Sequence, residues 1–209
     1  MGADERVFAP QARALPDLTV PRWIAPLSDE SLAQYAQRLA ERIDPARPCF
    51  VGGASFGGMV ALEVARHLPH VLGCFLVGSV RSPRELPARL RALRPLGRFA
   101  PFVPFGCLPL SARLILSMTD HPMVRQAADA DPAFLRWACR AVLTWESRSD
   151  EAPFPVHQIH GDRDPILPFR CTRPDVVVRD GGHVLTLSHP EQVSEFIRER
   201  TRATAGDTP

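Results

Sequence analysis

The chain of 209 residues contains no lysine and no asparagine. All 25 basic residues are therefore arginine, and set against 23 acidic residues they leave a formal charge of only +2. Both missing amino acids need A-rich codons, so their absence reads as the imprint of a GC-rich genome. It also has a chemical consequence, because a phosphate-binding loop ending in Gly-Lys-Ser/Thr cannot be built without lysine. The near-neutral balance gives no electrostatic footprint for nucleic acid or for an acidic membrane. Cysteine is sparse, at Cys49, Cys74, Cys107, Cys139 and Cys171, and no C-x-x-C occurs. An odd number at wide spacing argues against a disulfide scaffold and a zinc site. Free thiols in a reducing, cytoplasmic setting are expected. The start Met1-Gly2-Ala3-Asp4-Glu5-Arg6 lacks the apolar core of a signal peptide, and Arg6 stands where a myristoylation motif wants Ser or Thr. The most apolar uncharged stretch, 99–112, is too short to span a bilayer and holds Pro101, Pro104 and Pro109.

What is present is ordinary for one globular domain: 45% hydrophobic and 23% charged residues. Proline stands out at 22 residues, about twice the usual share of roughly 5%. The pattern predicts a helix over 4–14, in which Pro10 removes one backbone donor, and a short strand over 18–23. An amphipathic helix over 28–43 follows, with Ser28 as N-cap and Leu32, Tyr35, Ala36, Leu39 and Ile43 at helical spacing. A buried strand begins at Cys49 and runs into Gly52-Gly53, followed by a helix over 56–68 and a strand over 71–80. Strands over 155–160 and 175–179 and a helix over 190–200 close the chain, with a frayed tail from Thr201 onward. Strands alternating with helices predict an α/β fold, a mostly parallel sheet with helices on both faces.

The alternation stops for about 70 residues, far beyond the usual connection of roughly 2–6. We read 1–80 and 151–209 as the core and 81–150 as a helical cap insertion. Leu86, Leu90 and Leu93 form one apolar stripe there. Asp131-Pro132 is a helix start, and Phe134, Leu135, Ala138, Val142 and Trp145 supply that helix with an apolar face. These residues suit a packed helical layer, and also a lid over a site at the sheet's C-terminal edge.

Gly53-Ala54-Ser55-Phe56-Gly57 matches G-x-S-x-G between a strand and a helix. Small flanking residues let the backbone close a strained turn that lifts the Ser55 hydroxyl above the sheet, at a helix N-terminus that favours developing negative charge. The glycine spacing does not fit the G-x-G-x-x-G of a dinucleotide site. A serine nucleophile needs a base, and seven histidines compete. His67 and His70 lie at the far end of the following helix. His157 and His160 sit on a strand, where a core or edge role is expected. His121 falls in the insertion, and His189 belongs to a helix start. His183 follows the strand over 175–179 and the turn Asp180-Gly181-Gly182, the position where parallel sheets place their sites. In His160-Gly161-Asp162-Arg163-Asp164-Pro165 two aspartates compete as its carboxylate partner, and the order Ser…Asp…His is that of α/β-hydrolases among triad enzymes.

The chain resembles the α/β-hydrolase superfamily, in particular its small capped esterase-like members. The residues that carry the resemblance are Gly53 to Met59, the His160–Asp164 segment with Pro168, Gly182-His183, and Pro190-Glu191-Gln192-Val193 at the closing helix. It implies Asp164 as the acid of the H-G-x-x-D segment and His183 as the histidine after a glycine. It also implies a strand ending in His-Gly or Pro-Gly before the first helix, beside the Ser55 strand in mid-sheet. Here Gly2 to Phe8 matches the segment after that loop, so Met1 falls near the oxyanion position and the first central strand is expected to be missing, through a misassigned start or a truncation. The expected activity is hydrolysis of a small or medium hydrophobic carboxylic ester by Ser55, His183 and Asp164. The Phe56 N–H and a donor near Met1-Gly2 would hold the oxyanion, without metal or organic cofactor. The partner is then a small-molecule acyl substrate. A non-catalytic relative, or an acyltransferase or thioesterase using the same triad, is the alternative.

Overall fold

The computed structural model describes residues 5–43, 47–95, 131–146 and 152–206. Four parallel strands form one sheet in the order β1 (Cys49–Ala54), β2 (Val71–Val77), β3 (Val156–Gly161), β4 (Val176–Val178). β2 is buried on both faces from Gly73 to Val77, the expected pattern for a parallel strand covered on each side. It ends at Gly78, whose φ of +53° turns the chain out of the sheet, rather than continuing to residue 80. Among the described residues β1 pairs with β2 alone, so no strand there adjoins its other edge.

One face of the sheet is covered by α2 (Leu32–Ala40) and α3 (Phe56–Ala65), packed around Tyr35, Leu62 and Leu76. Every residue of α3 but Gly57 is buried, as befits a helix that is apolar all round. The other face packs Phe75, Val77, Ile159 and Val178 against Leu185, Val193 and Phe196. These last come from α6 (Leu185–Ser188) and α7 (Pro190–Gly206). Near the N-terminus a 3₁₀ turn, Glu5–Phe8, leads into α1 (Ala9–Ala14). Pro10 lies in the first turn of α1, where its missing N–H costs nothing, so the proline is compatible with the helix. α1 is tied to the C-terminal helices by Gln11, fully buried, whose Nε2 donates to Thr186 O at 3.0 Å.

Several local expectations are corrected. Residues 18–23 are not a strand. Their neighbours find partners in side chains of α2 and of Glu30 just before it: Tyr35 Oη bonds both Ile24 N and Ile24 O at 3.1 Å, Arg38 donates to Ala25 O, and Leu27 N donates to Glu30 Oε2. With Pro21 and Pro26 lacking N–H groups, side-chain anchoring replaces a ladder. α2 is capped by Ser31, not Ser28: Ser31 Oγ accepts from Gln34 N while Gln34 Oε1 accepts from Ser31 N, a reciprocal capping box. The C-terminal helix runs through Gly206, so residues 201–206 are helical rather than frayed.

Within residues 81–150, α4 (Ala88–Leu93) is short, and its Leu93 is 45% exposed while Leu86 before it is buried. α5 (Pro132–Thr144) starts as expected, with Asp131 Oδ1 accepting from Ala133 N. Its inward face, however, uses Trp137 where Leu135 was expected, and Leu135 is half-buried. The indoles anchor this segment to the core: Trp137 Nε1 donates to Glu30 O at 2.9 Å and Trp145 Nε1 to Glu63 Oε1 at 2.8 Å. Phe134, Trp137, Ala138 and Val142 therefore share one apolar cluster with α2 and α3. Residues 96–130 and 147–150, the rest of the expected cap, lie outside the described residues.

Candidate active site

The turn from β1 into α3 places Ser55 at φ 54°, ψ −123°, outside the comfortable range of a side-chain-bearing residue. Such a conformation costs on the order of 1–3 kcal/mol and persists only where neighbours over-determine it. Here they do. Ser55 N donates to Val77 O at 3.0 Å, and Ser55 O accepts from Gly58 N at 3.0 Å and from Ser79 Oγ at 2.6 Å. A Cβ on Gly53 would lie 2.2 Å from Gly57 O, so only glycine fits there. The last glycine of G-x-S-x-G is less constrained, since a Cβ on Gly57 would meet only the Trp23 ring at 3.8 Å. The crowded position is Gly58, where a Cβ would come within 2.4 Å of Ser79 Oγ.

The loops after β3 and β4 bring the other groups to the same edge of the sheet. Gly161 lets them touch, because a Cβ there would strike Gly181 O at 2.1 Å, and Arg163 N donates to Gly181 O across the join. His183 Nε2 lies 2.8 Å from Ser55 Oγ, and His183 Nδ1 lies 2.7 Å from Asp164 Oδ2. A carboxylate can only accept, so Nδ1 carries the proton and Nε2 presents its lone pair to the serine hydroxyl. Asp164 Oδ1 accepts from Ile166 N at 2.8 Å and Leu167 N at 2.9 Å. Burial alone would push the Asp164 carboxyl up. Hydrogen bonds from His160, His183 and the Leu167 N–H outweigh it and hold the group well below the usual carboxylate range.

Of the expected site residues, Ser55, His183 and Asp164 come together, while the backbone of Asp162 is engaged with Val178 O. Phe56 opens α3, and its N–H belongs to the first turn, where a helix offers no internal acceptor. Its ring packs against Trp23 and Trp137. Met1 and Gly2 lie outside the described residues, as do His121 and Cys107. Burial pushes the thiol of Cys74 up to about 12 and raises those of Cys49 and Cys139, which leaves them poor nucleophiles. Among the described residues no cluster of three or more His, Cys, Asp or Glu is placed to hold a metal, and no helix is long and apolar enough to cross a membrane.

Two contributors escaped the sequence reading. Ser79 has no motif to mark it, because its bond to Ser55 O joins residues from different strand ends. His160, expected on the strand pattern to have a core or edge role, has its Nε2 3.2 Å from Asp164 Oδ2. Its place four residues before Asp164 at a strand end was the available signal.

This architecture has clear relatives. The model of the alpha/beta hydrolase family matches residues 2–196. A pimeloyl-[acyl-carrier protein] methyl ester esterase from Aromatoleum aromaticum is 27% identical over 195 residues, covering 78% of this chain and 77% of the relative. Among solved structures, a thermophilic esterase from Thermogutta terrifontis superposes with a TM-score of 0.71 at 20% identity, covering 96% of this chain and 86% of that one. MenH from S. aureus also reaches 0.71, at 14% identity, covering 97% of this chain and 91% of its own. At those identities the structural likenesses speak for the fold. The family match spans nearly the whole length, and the chain belongs to the alpha/beta hydrolase family of enzymes.

Proposed function

We propose that the protein hydrolyses a small or medium hydrophobic carboxylic ester through an acyl-enzyme on Ser55. The reading is carried by the unbroken chain from Ser55 Oγ through the His183 ring to Asp164, with links of 2.8 and 2.7 Å. His183 Nε2 takes the hydroxyl proton as Ser55 Oγ bonds to the acyl carbon. The carbonyl oxygen becomes an oxyanion facing the Phe56 N–H, with a second donor expected near Met1-Gly2. As the intermediate collapses, the acyl–oxygen bond breaks and His183 returns the proton to the leaving alcohol. Water then repeats the sequence, its proton passing to His183 and back to Ser55 Oγ, and the acid is released. Asp164 holds the ring and stabilises the imidazolium without taking the proton. No step calls for a metal or organic cofactor.

The Aromatoleum relative, a methyl ester esterase by name, supports an ester as the scissile group. The aromatic cluster of Phe56, Trp23 and Phe134 beside the Ser55 turn supports a hydrophobic acyl part. The free thiols Cys49, Cys74, Cys139 and Cys171 support a reducing cytoplasmic setting. Turnover of short-chain aryl esters and methyl esters by the wild type and by Ser55→Ala tests the proposal. Loss of at least about a thousandfold in kcat is expected for the variant, and turnover unchanged by the substitution would end it.

A further inference from the structure

His160 is the last imidazole before the Asp164 loop, and its ring is fully buried. Its Nε2 lies 2.6 Å from Leu167 O and 3.2 Å from Asp164 Oδ2, while its Nδ1 has no partner among the described residues. Both neighbours of Nε2 are acceptors, so Nε2 carries a proton. Asp164 Oδ2 thus sits between two imidazole N–H groups, that of His183 at 2.7 Å and that of His160 at 3.2 Å. Leu167 closes the circuit, since its N–H donates to Asp164 Oδ1 and its carbonyl accepts from His160.

A buried ring nitrogen without a partner carries the desolvation penalty of an unmade hydrogen bond. An aliphatic side chain would fill the same space without that cost, so the ring calls for an explanation beyond packing. The charged groups that face it are Asp164 and, from the turn Pro83–Glu85, the Glu85 carboxylate, which accepts from Arg81 N at 2.7 Å. His183 faces it across Asp164.

We propose that His160 is a positioning residue: its shared Nε2–H turns the Asp164 carboxylate toward His183 and moderates how strongly that carboxylate holds the His183 proton. The inference rests on the Ser55–His183–Asp164 reading above. A carboxylate relieved of one donor is a stronger partner for an imidazolium but a less well aimed one. Removing the donor therefore slows proton transfer and moves the acid limb of the rate profile to higher pH.

The test uses the full chain, a short-chain aryl ester, and the variants His160→Leu and His160→Gln. For His160→Leu, kcat falls about tenfold with KM within about twofold, and the acid limb of kcat/KM rises by about half a pH unit. His160→Gln, whose side-chain amide also donates, stays within about threefold of wild type and keeps the wild-type limb. A folded His160→Leu with wild-type kcat and limb overturns the proposal. So does a His160→Gln that falls as far as His160→Leu with the limb unmoved, since that marks a packing role. If His160→Leu does not fold, His160→Met is read in the same way. The His183 Nδ1 proton resonance, followed by NMR in a Ser55→Ala background, separates this inference from the serine mechanism. A resonance that moves on His160→Leu supports positioning even if Ser55→Ala still hydrolyses ester, and one that stays fixed overturns it alone.

Discussion

The two halves of the candidate site are held by different physics. The Ser55 half is fixed by steric exclusion. Backbone lies against backbone at Gly53 and Gly57, and Ser79 fills the space beside Gly58. The Asp164–His183 half is fixed by charge and hydrogen bonding, with the carboxylate accepting from Ile166 and Leu167 N–H groups and facing two imidazoles. The first half is most sensitive to added volume at its glycines. The second has the opposite sensitivity, because an isosteric swap keeps its shape and removes its charge.

The change most damaging to stability is expected on the steric side. Gly53→Ala puts a methyl group 2.2 Å from Gly57 O, backbone that cannot step aside, and should destabilise by about 3 kcal/mol or more. Chemical denaturation and the yield of folded protein measure it, and a variant as stable as wild type would show that the turn is not sterically locked. On the electrostatic side, Asp164→Asn keeps the volume but favours the wrong tautomer of His183. About 10⁴-fold in kcat should be lost with the fold intact, as read by steady-state kinetics beside circular dichroism.

The same carboxylate carries a pH signature. Because its folded value is depressed, its contribution to stability is fully present above the ordinary aspartate value, about 3.9, and is lost as pH falls below it. Unfolding free energy measured from pH 6 downward should therefore decline less steeply in Asp164→Asn than in wild type.

Smaller effects sharpen the contrast. Ser79→Ala removes the 2.6 Å bond to Ser55 O and should cost about 1–1.5 kcal/mol in thermal or chemical unfolding, with a several-fold drop in kcat. Gly57→Ala should be the mildest, since its methyl would meet only the edge of Trp23 at 3.8 Å. Helix propensity favours alanine by about 1 kcal/mol, so stability should hold or rise slightly while kcat stays within about threefold. A large loss at Gly57 with tolerance at Gly53 would invert the steric account.

Much of this layout was legible in the chain. The β1–turn–α3 unit could be read because glycine spacing, a flanking strand and a buried helix are all local. The Asp131-Pro132 helix start was equally plain, since a cap and its helix are neighbours in sequence. The strand expected over 18–23 failed because its surroundings depend on Tyr35, Glu30 and Arg38, whose reach across to the preceding loop leaves no periodic trace. Helical spacing alone does not choose Trp137 over Leu135, because it cannot fix which edge of α5 finds Tyr35, whose ring centroid lies 4.3 Å from that of Trp137.

By itself the sequence determined the strand and helix alternation, the glycine turn that raises Ser55, and a short set of histidines and aspartates. Those features rest on backbone stereochemistry and on periodicity, which act over a few residues. Only the tertiary structure decided which of these groups meet. The bond from His183 to Ser55 closes a separation of 128 residues, and the approach of His160 to Asp164 depends on how the loop after β3 folds back. Hydrogen bonds act over about 3 Å, and nothing in the order of residues states that distance until the sheet has brought its strand ends together.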